Sequence, residues 1–296
     1  MHSALAVDPE TGQPQGLLWQ KLWNRPPVVP PPVDETPEQR QQRRAAAKQA
    51  KQRRPFVEKE SYRWVEAMST VAAQMPSTTR VIHVFDREGD IAEVFAHLNS
   101  CEHTGVVVRA AHNRELEGDP HRLWETLAEQ PIQAVHEVHL SPTKTRTART
   151  AHLAVRFCLV QLKAPPRLGR KTKLPVYAVY AHEIDPPAGE EPVSWMLLTR
   201  EPVTTVEQAY TCLRWYDYRW RVEEYHKVLK SGCQVERYRL AATGMKTLLG
   251  FYSVIAVDLL RLTYLQRTQP DQPADTVLSP VQIQVLRAKP LILLRT

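Results

Sequence analysis

The stretch TRVIHVFDREGDIAEVFAHL, residues 79–98, constrains the fold most. A short β-branched run, Val81 to Phe85, reads as a buried strand, and IAEVFAHL has the spacing of the helix that follows it. A second apolar run from Gly105 to Arg109 then predicts a neighbouring strand. Strand, helix and strand in that order place Asp86 at the carboxyl end of a strand, where α/β proteins gather catalytic carboxylates. Asp90, just before the helix, reads either as a site residue or as an ordinary N-cap.

The rest of the chain elaborates this unit. HSALAV and the residues out to Trp19 and Trp23 predict a hairpin that turns at DPETG. Residues 25–37 are proline-rich and read as a connection. In VEKESYRWVEAMSTVAAQM, the spacing of Val57, Tyr62, Val65, Met68 and Ala72 predicts a helix. Between 112 and 200 the pattern changes to AVHEVHL, AHLAVRFCLVQL, LPVYAVYAHEI and VSWMLLT. These read as strands of a β-rich insertion, with one short helix around residues 122–129. TTVE at residues 204–207 predicts a capping box opening the next helix, Gly232 closes it, and a long apolar helix follows over residues 245–266.

Within YDYRWRVEEYHKVLK, residues 216–230, one continuous helix would turn about 100° per residue. From Tyr216, Arg219 then falls near 300°, Lys230 near 320°, Glu223 near 340° and Trp220 near 40°, all on one side at about 3.6 residues per turn. Polar groups converging beside a Trp suggest a site around Glu223. The alternative is a solvated face laced by Arg219, Glu223 and Lys227 at four-residue intervals.

Charge is unevenly distributed. Residues 40–54 hold seven Lys/Arg and no acid, residues 144–173 hold nine and no acid, and elsewhere 23 basic residues face 32 acidic ones. Such concentration suits contact with a phosphate backbone, or else a solubilising helix and a loop. The four cysteines, Cys101, Cys158, Cys212 and Cys233, form no CxxC, which points away from a zinc cage or disulfide framework and toward a reducing compartment. FYSVIAVDLL carries Asp258 and reads as too short to span a bilayer, and no signal segment is legible. A cytoplasmic protein with no membrane partner is expected.

Taken together, Tyr216, Arg219, Glu223 and Lys230 have the Y-(2)-R-(3)-E-(6)-K spacing of bacterial insertion-sequence transposases of the insertion-sequence-four group, which the chain resembles over roughly residues 1–270. DREGDI resembles that family's segment with the second catalytic Asp. HSALAV and WNRP resemble its second and third strands, and SWMLLT the end of its β insertion. The resemblance implies an α/β, ribonuclease H-like mixed sheet flanked by helices, of the DDE superfamily, with the insertion before the last catalytic helix. The implied domains are core residues 1–111, insertion 112–200, core 201–270 and a cut-short tail 271–296.

The implied activity is metal-dependent phosphoryl transfer that cuts and joins transposon ends. Its partners are double-stranded DNA, at transposon ends and target, and a second protomer when full length. The protein is then nucleoid-associated when bound. Asp86 and Glu223 are the implied catalytic residues and Mg²⁺ ligands of a two-metal site. Tyr216, Arg219 and Lys230 are the implied phosphate contacts, joined by Trp220. Trp195 is the implied base-stacking residue, with an ordinary strand Trp as its alternative, and Arg109 is a further DNA contact. The family's first Asp precedes the hairpin, and Asp8 lies in a turn, so the first strand and its ligand are expected to be missing. The chain is expected to be truncated at both ends and inactive alone. A non-catalytic DNA-binding or inhibitory remnant and a metal-dependent nuclease stand as alternatives.

Overall fold

The structure, a computed structural model, describes residues 1–23, 30, 32, 34–140, 142, 147–169 and 171–288, the side chains of 51 and 52 excepted. Most of the proline-rich connection, Lys144, Arg146, Arg170 and the tail from 289 lie outside the described residues.

The chain opens with the expected hairpin, β1 (His2–Val7) and β2 (Pro14–Lys21), which form a two-stranded sheet. Its turn is built by Asp8, whose carboxylate accepts the N–H groups of Glu10 at 3.0 Å and Thr11 at 2.8 Å. Those bonds hold the carboxyl below the usual range and occupy it locally.

Contacts divide the chain into two compact units, Met1–His2 with Trp19–Arg219, and Ser3–Leu18 with Trp220–Thr296. The first contains α1 (Pro37–Arg53), α2 (Tyr62–Gln74), β3 (Val81–Phe85), α3 (Ala92–His97), β4 (Thr104–Arg109), α4 (Leu123–Glu129), β5 (Ala134–Leu140), β6 (Arg149–Leu162), β7 (Leu174–Glu183), β8 (Ser194–Thr199) and α5 (Val206–Asp217). Strand periodicity therefore located all four strands of the 112–200 region. They do not form a sheet of their own. One six-stranded mixed sheet runs β3-β4-β8-β7-β6-β5, with β3 parallel to β4 and every other pair antiparallel.

Alternation of side chains across this sheet creates two cores. Val106 and Val108 of β4 join a cluster with Trp64 and Met68 of α2, Phe95 of α3 and Leu123 and Leu127 of α4. Val107, between them, joins the opposite cluster with Leu153, Leu197 and α5 residues Ala209, Cys212, Leu213 and Tyr216. The sheet is thus flanked by helices on both faces, a mixed α/β arrangement. Helix α2 turns Trp64, Val65, Met68 and Val71 inward. Ala72 and Val57, expected on that face, are exposed.

Two sequence expectations fail around α5. The capping box forms one residue later than read, between Thr205 and Gln208. The single helix over residues 216–230 does not exist. Helix α5 ends at Asp217, Tyr218 and Arg219 form a turn in which the Arg219 N–H donates to Tyr216 O at 3.1 Å, and α6 (Trp220–Lys227) begins after it. A π-helical turn, Val228–Gly232, follows. Tyr218 itself keeps helical dihedrals, φ −64° and ψ −13°, and the break carries no Gly or Pro to announce it.

The second unit combines hairpin residues with α6, α7 (Ala242–Thr268) and α8 (Pro280–Ala288). Arg221 donates to Gly12 O at 3.2 Å, and Tyr264 Oη to Thr11 O at 2.7 Å, which tie the turn of the hairpin to α6 and α7. Inside, Tyr225 Oη donates to Ser253 Oγ at 2.9 Å with both residues buried. FYSVIAVDLL lies within the 27 residues of α7, so the segment is longer than its ten apolar-rich residues suggested. Among the described residues, α7 alone is long and apolar enough to cross a membrane by length and composition. Its apolar window has a mean hydropathy of 1.5 and is 33% buried.

Candidate functional site

Asp86 lies where the strand reading placed it, directly after β3, and its side chain remains 44% exposed. One carboxylate oxygen caps the short turn Arg87–Gly89 by accepting the Arg87 N–H at 2.7 Å. The other lies 3.7 Å from the Arg219 guanidinium. Arg219 is only 10% exposed, and its guanidinium stands over the Tyr216 ring at 5.9 Å. Tyr216 in turn meets the edge of Trp195 at 5.7 Å and 64°. Arg109, at the end of β4, donates to Ser194 O at 2.9 Å, beside Trp195.

Five of the eight residues singled out in the sequence are therefore linked within the first unit, as the chain Asp86, Arg219, Tyr216, Trp195 and, through Ser194, Arg109. The sequence could not show how buried its middle is. Tyr216 is 3% exposed and belongs to a core cluster, and Trp195 packs against that cluster. Trp195 is partly buried, and Tyr216 serves as the platform beneath Arg219.

The other three residues belong to the second unit. Trp220 and Glu223 are exposed on α6. Burial lowers the pKa of His226, against a smaller upward pull from the Glu223 carboxylate. Lys230, in the π-helical turn, stands 3.7 Å from Glu236. It lines an open polar depression of about 350 Å³ with Ser231, Gln234, Glu236 and Arg237.

Asp90 departs from the N-cap reading. Ile91 is the N-cap residue of α3, and Asp90 instead reaches across to the loop after β4. Its carboxylate, fully buried, accepts the N–H groups of Ala111 at 2.8 Å and His112 at 3.2 Å and the Arg114 guanidinium at 2.6 Å. Asp90 and Arg114 thereby lock together the two chain segments that leave the carboxyl ends of β3 and β4. Sequence reasoning missed this function, although the second Asp of DREGD was its signal.

Four of the described cations of the second basic window are paired with acids. Arg149 is paired with Glu183 and, at 2.9 Å, Glu190; Lys163 with Glu115 at 2.8 Å; Arg167 with Glu93 at 2.7 Å; and Lys173 with Glu117 at 2.6 Å. Arg156 donates to Gln130 O at 2.9 Å. Arg149, Lys163, Arg167 and Lys173 are thus each paired with an acid of the same chain, and Arg156 with a carbonyl.

A divalent cation needs hard oxygen donors converging on one point. Asp86 instead has a guanidinium beside it, and among the described residues no group of three or more His, Cys, Asp or Glu side chains converges. The chain matches none of the models of known protein families.

Proposed function

We propose that this chain is the core of a ribonuclease H-like DNA transposase, acting on phosphodiesters of duplex transposon ends. The observation that carries the proposal is the chain of contacts at the carboxyl end of β3, where an accessible carboxylate, Asp86, lies 3.7 Å from a guanidinium seated on a buried Tyr. A guanidinium held on an aromatic platform is pre-organised, so little entropy is lost when it binds a phosphate through two parallel hydrogen bonds. Arg219 contacts the phosphate, and Tyr216 positions Arg219. Asp86 holds the guanidinium until the phosphate arrives and then faces the reacting centre. In the same reading, Glu223 supplies a second carboxylate and Lys230 a point charge on the flanking backbone, while Trp220 offers an exposed ring to the DNA.

A second reading, a DNA-binding remnant that does not cut, is favoured by the cation beside Asp86. Binding and cleavage of a labelled duplex end with Mg²⁺ in the buffer separate the two. Arg219→Ala is expected to weaken duplex binding roughly 10- to 100-fold, the loss of one charge-assisted pair. Asp86→Asn is expected to retain binding and abolish any Mg²⁺-dependent nicking. Binding without nicking by the unaltered chain selects the remnant. Equal affinities of Arg219→Ala and the unaltered chain would sink the phosphate site on which the transposase reading rests.

A further inference from the structure

The first basic window differs from the second in a way that sequence counting hides. Helix α1 is opened by a complete capping box, Thr36 with Gln39, and by Pro37 in its first turn. Its sequence, PEQRQQRRAAAKQAKQR, contains no apolar side chain larger than Ala, and residues 37–50 and 53 are all exposed. Ala, Gln, Arg and Lys are strong helix formers, so local propensity and the cap account for the helix. Burial does not. A helix of 17 residues, about 25 Å long, is thus kept in water along its described length.

Its cations are largely uncommitted. Arg43 pairs with Glu35 at 2.6 Å and Arg40 lies 3.7 Å from the same acid. Among the described residues, Arg44, Lys48, Arg53 and Arg54 have no ion pair, whereas in residues 144–173 Arg149, Lys163, Arg167 and Lys173 all do. Arg40, Arg44 and Lys48 recur every four residues and share one helix face, with about 6 Å of rise per step. Duplex DNA presents one negative charge per about 1.7 Å of its axis, so a helix of this length spans many phosphates.

We infer that α1 is a backbone-contacting arm for duplex DNA, and that the paired cations Arg149, Lys163, Arg167 and Lys173 are not part of it. The inference rests on the reading above that the partner is duplex DNA, and it adds where most of the sequence-independent attraction resides. An anionic membrane is the competing polyanion. Surface-bound amphipathic helices insert an apolar face, and α1 has none.

The test uses the full chain and a random-sequence duplex of about 30 base pairs, with affinity measured over a range of salt concentrations. The quadruple variant Arg44→Gln, Lys48→Gln, Arg53→Gln, Arg54→Gln keeps helix-forming residues, and circular dichroism checks that helix content is retained. Its log K against log [salt] slope is expected to flatten by about 0.9 per phosphate contact removed, up to about 3.6 for four contacts. Lys163→Gln with Lys173→Gln is expected to leave the slope unchanged. Equal flattening by both variants, no flattening by the α1 variant, or loss of binding to anionic vesicles in place of DNA would each overturn the inference. Arg219→Ala separates it from the site reading. If Arg219→Ala weakens binding and the α1 variant does not, the arm falls alone. Where the α1 variant collapses binding and Arg219→Ala has no effect, the arm stands and the site reading falls.

Discussion

The two units bury their apolar residues differently. Both core clusters lie wholly within the sheet unit, where single strands feed both faces. The helical unit buries one row of α7, including Leu249, Ala256 and Leu260, and leaves another row in water: Phe251 is 71% exposed and Val254 65%, with Ile255 and Leu259 continuing the stripe. In the sheet unit, then, the site residues stand on a closed core. Glu223 and Lys230 stand on short helical segments whose neighbour is only half covered. Positional accuracy is inherited from packing, so Asp86 and Arg219 are the better-held half of the proposed site.

Stability measurements sharpen this contrast or break it. The largest effect is expected from Asp90→Ala in the sheet unit, which strands the Arg114 guanidinium and two N–H groups around a buried gap. A loss of about 3 to 5 kcal/mol is expected in urea unfolding. A loss below about 1 kcal/mol would mean that the lock between the β3 and β4 exits is not holding the unit together.

Next comes His83 on β3, where burial, aided by His97, pushes the imidazole pKa down to about 4. The unfolded chain titrates near 6.5 and takes up the proton first as pH falls. Stability should therefore be full above about pH 6.5, decline between 6.5 and 4, and level off below, by about 3 kcal/mol for this residue. Unfolding profiles at stepped pH are expected to be flatter in His83→Val. An identical slope in both proteins would assign the acid sensitivity elsewhere.

In the helical unit the expected costs are smaller. Tyr225→Phe removes the hydroxyl that donates to Ser253 and should cost about 1 kcal/mol. Smallest is Phe251→Ser, expected to stay within about 0.5 kcal/mol while reducing self-association in light scattering. A cost of several kcal/mol for Phe251→Ser would show that the stripe is covered, and the contrast between units would vanish.

Much of the sheet was legible because its signals are local. Val81 to Phe85 and the four strands from Ala134 to Thr199 announce themselves by β-branched runs and alternation, and Asp86 follows from its place after one of them. What escaped is nonlocal. The acids that neutralise Arg149, Lys163, Arg167 and Lys173 lie 34 to 74 residues away, outside any window in which charge is counted. The α5–α6 break escaped for a different reason: residues 216–219 carry no Gly or Pro, and the burial of Tyr216 that accompanies the turn is a tertiary fact. Asp90 was misread because its acceptors' partners, Ala111, His112 and Arg114, come from another loop.

The order of strands in the sheet also sets an order in time. β6 and β7 are consecutive and antiparallel, with β5 and β8 as their sequence neighbours, so this meander closes short loops and can form early. β4 joins it only by pairing with β8 across a span such as Arg109 to Ser194, 85 residues apart, and β3 is attached through β4 alone. Closing that long loop carries more entropy cost than any hairpin in the sheet. The edge that carries Asp86 is accordingly the last part of the sheet to assemble during refolding and the first to be lost when a nascent or stressed chain loses its β4–β8 pairing.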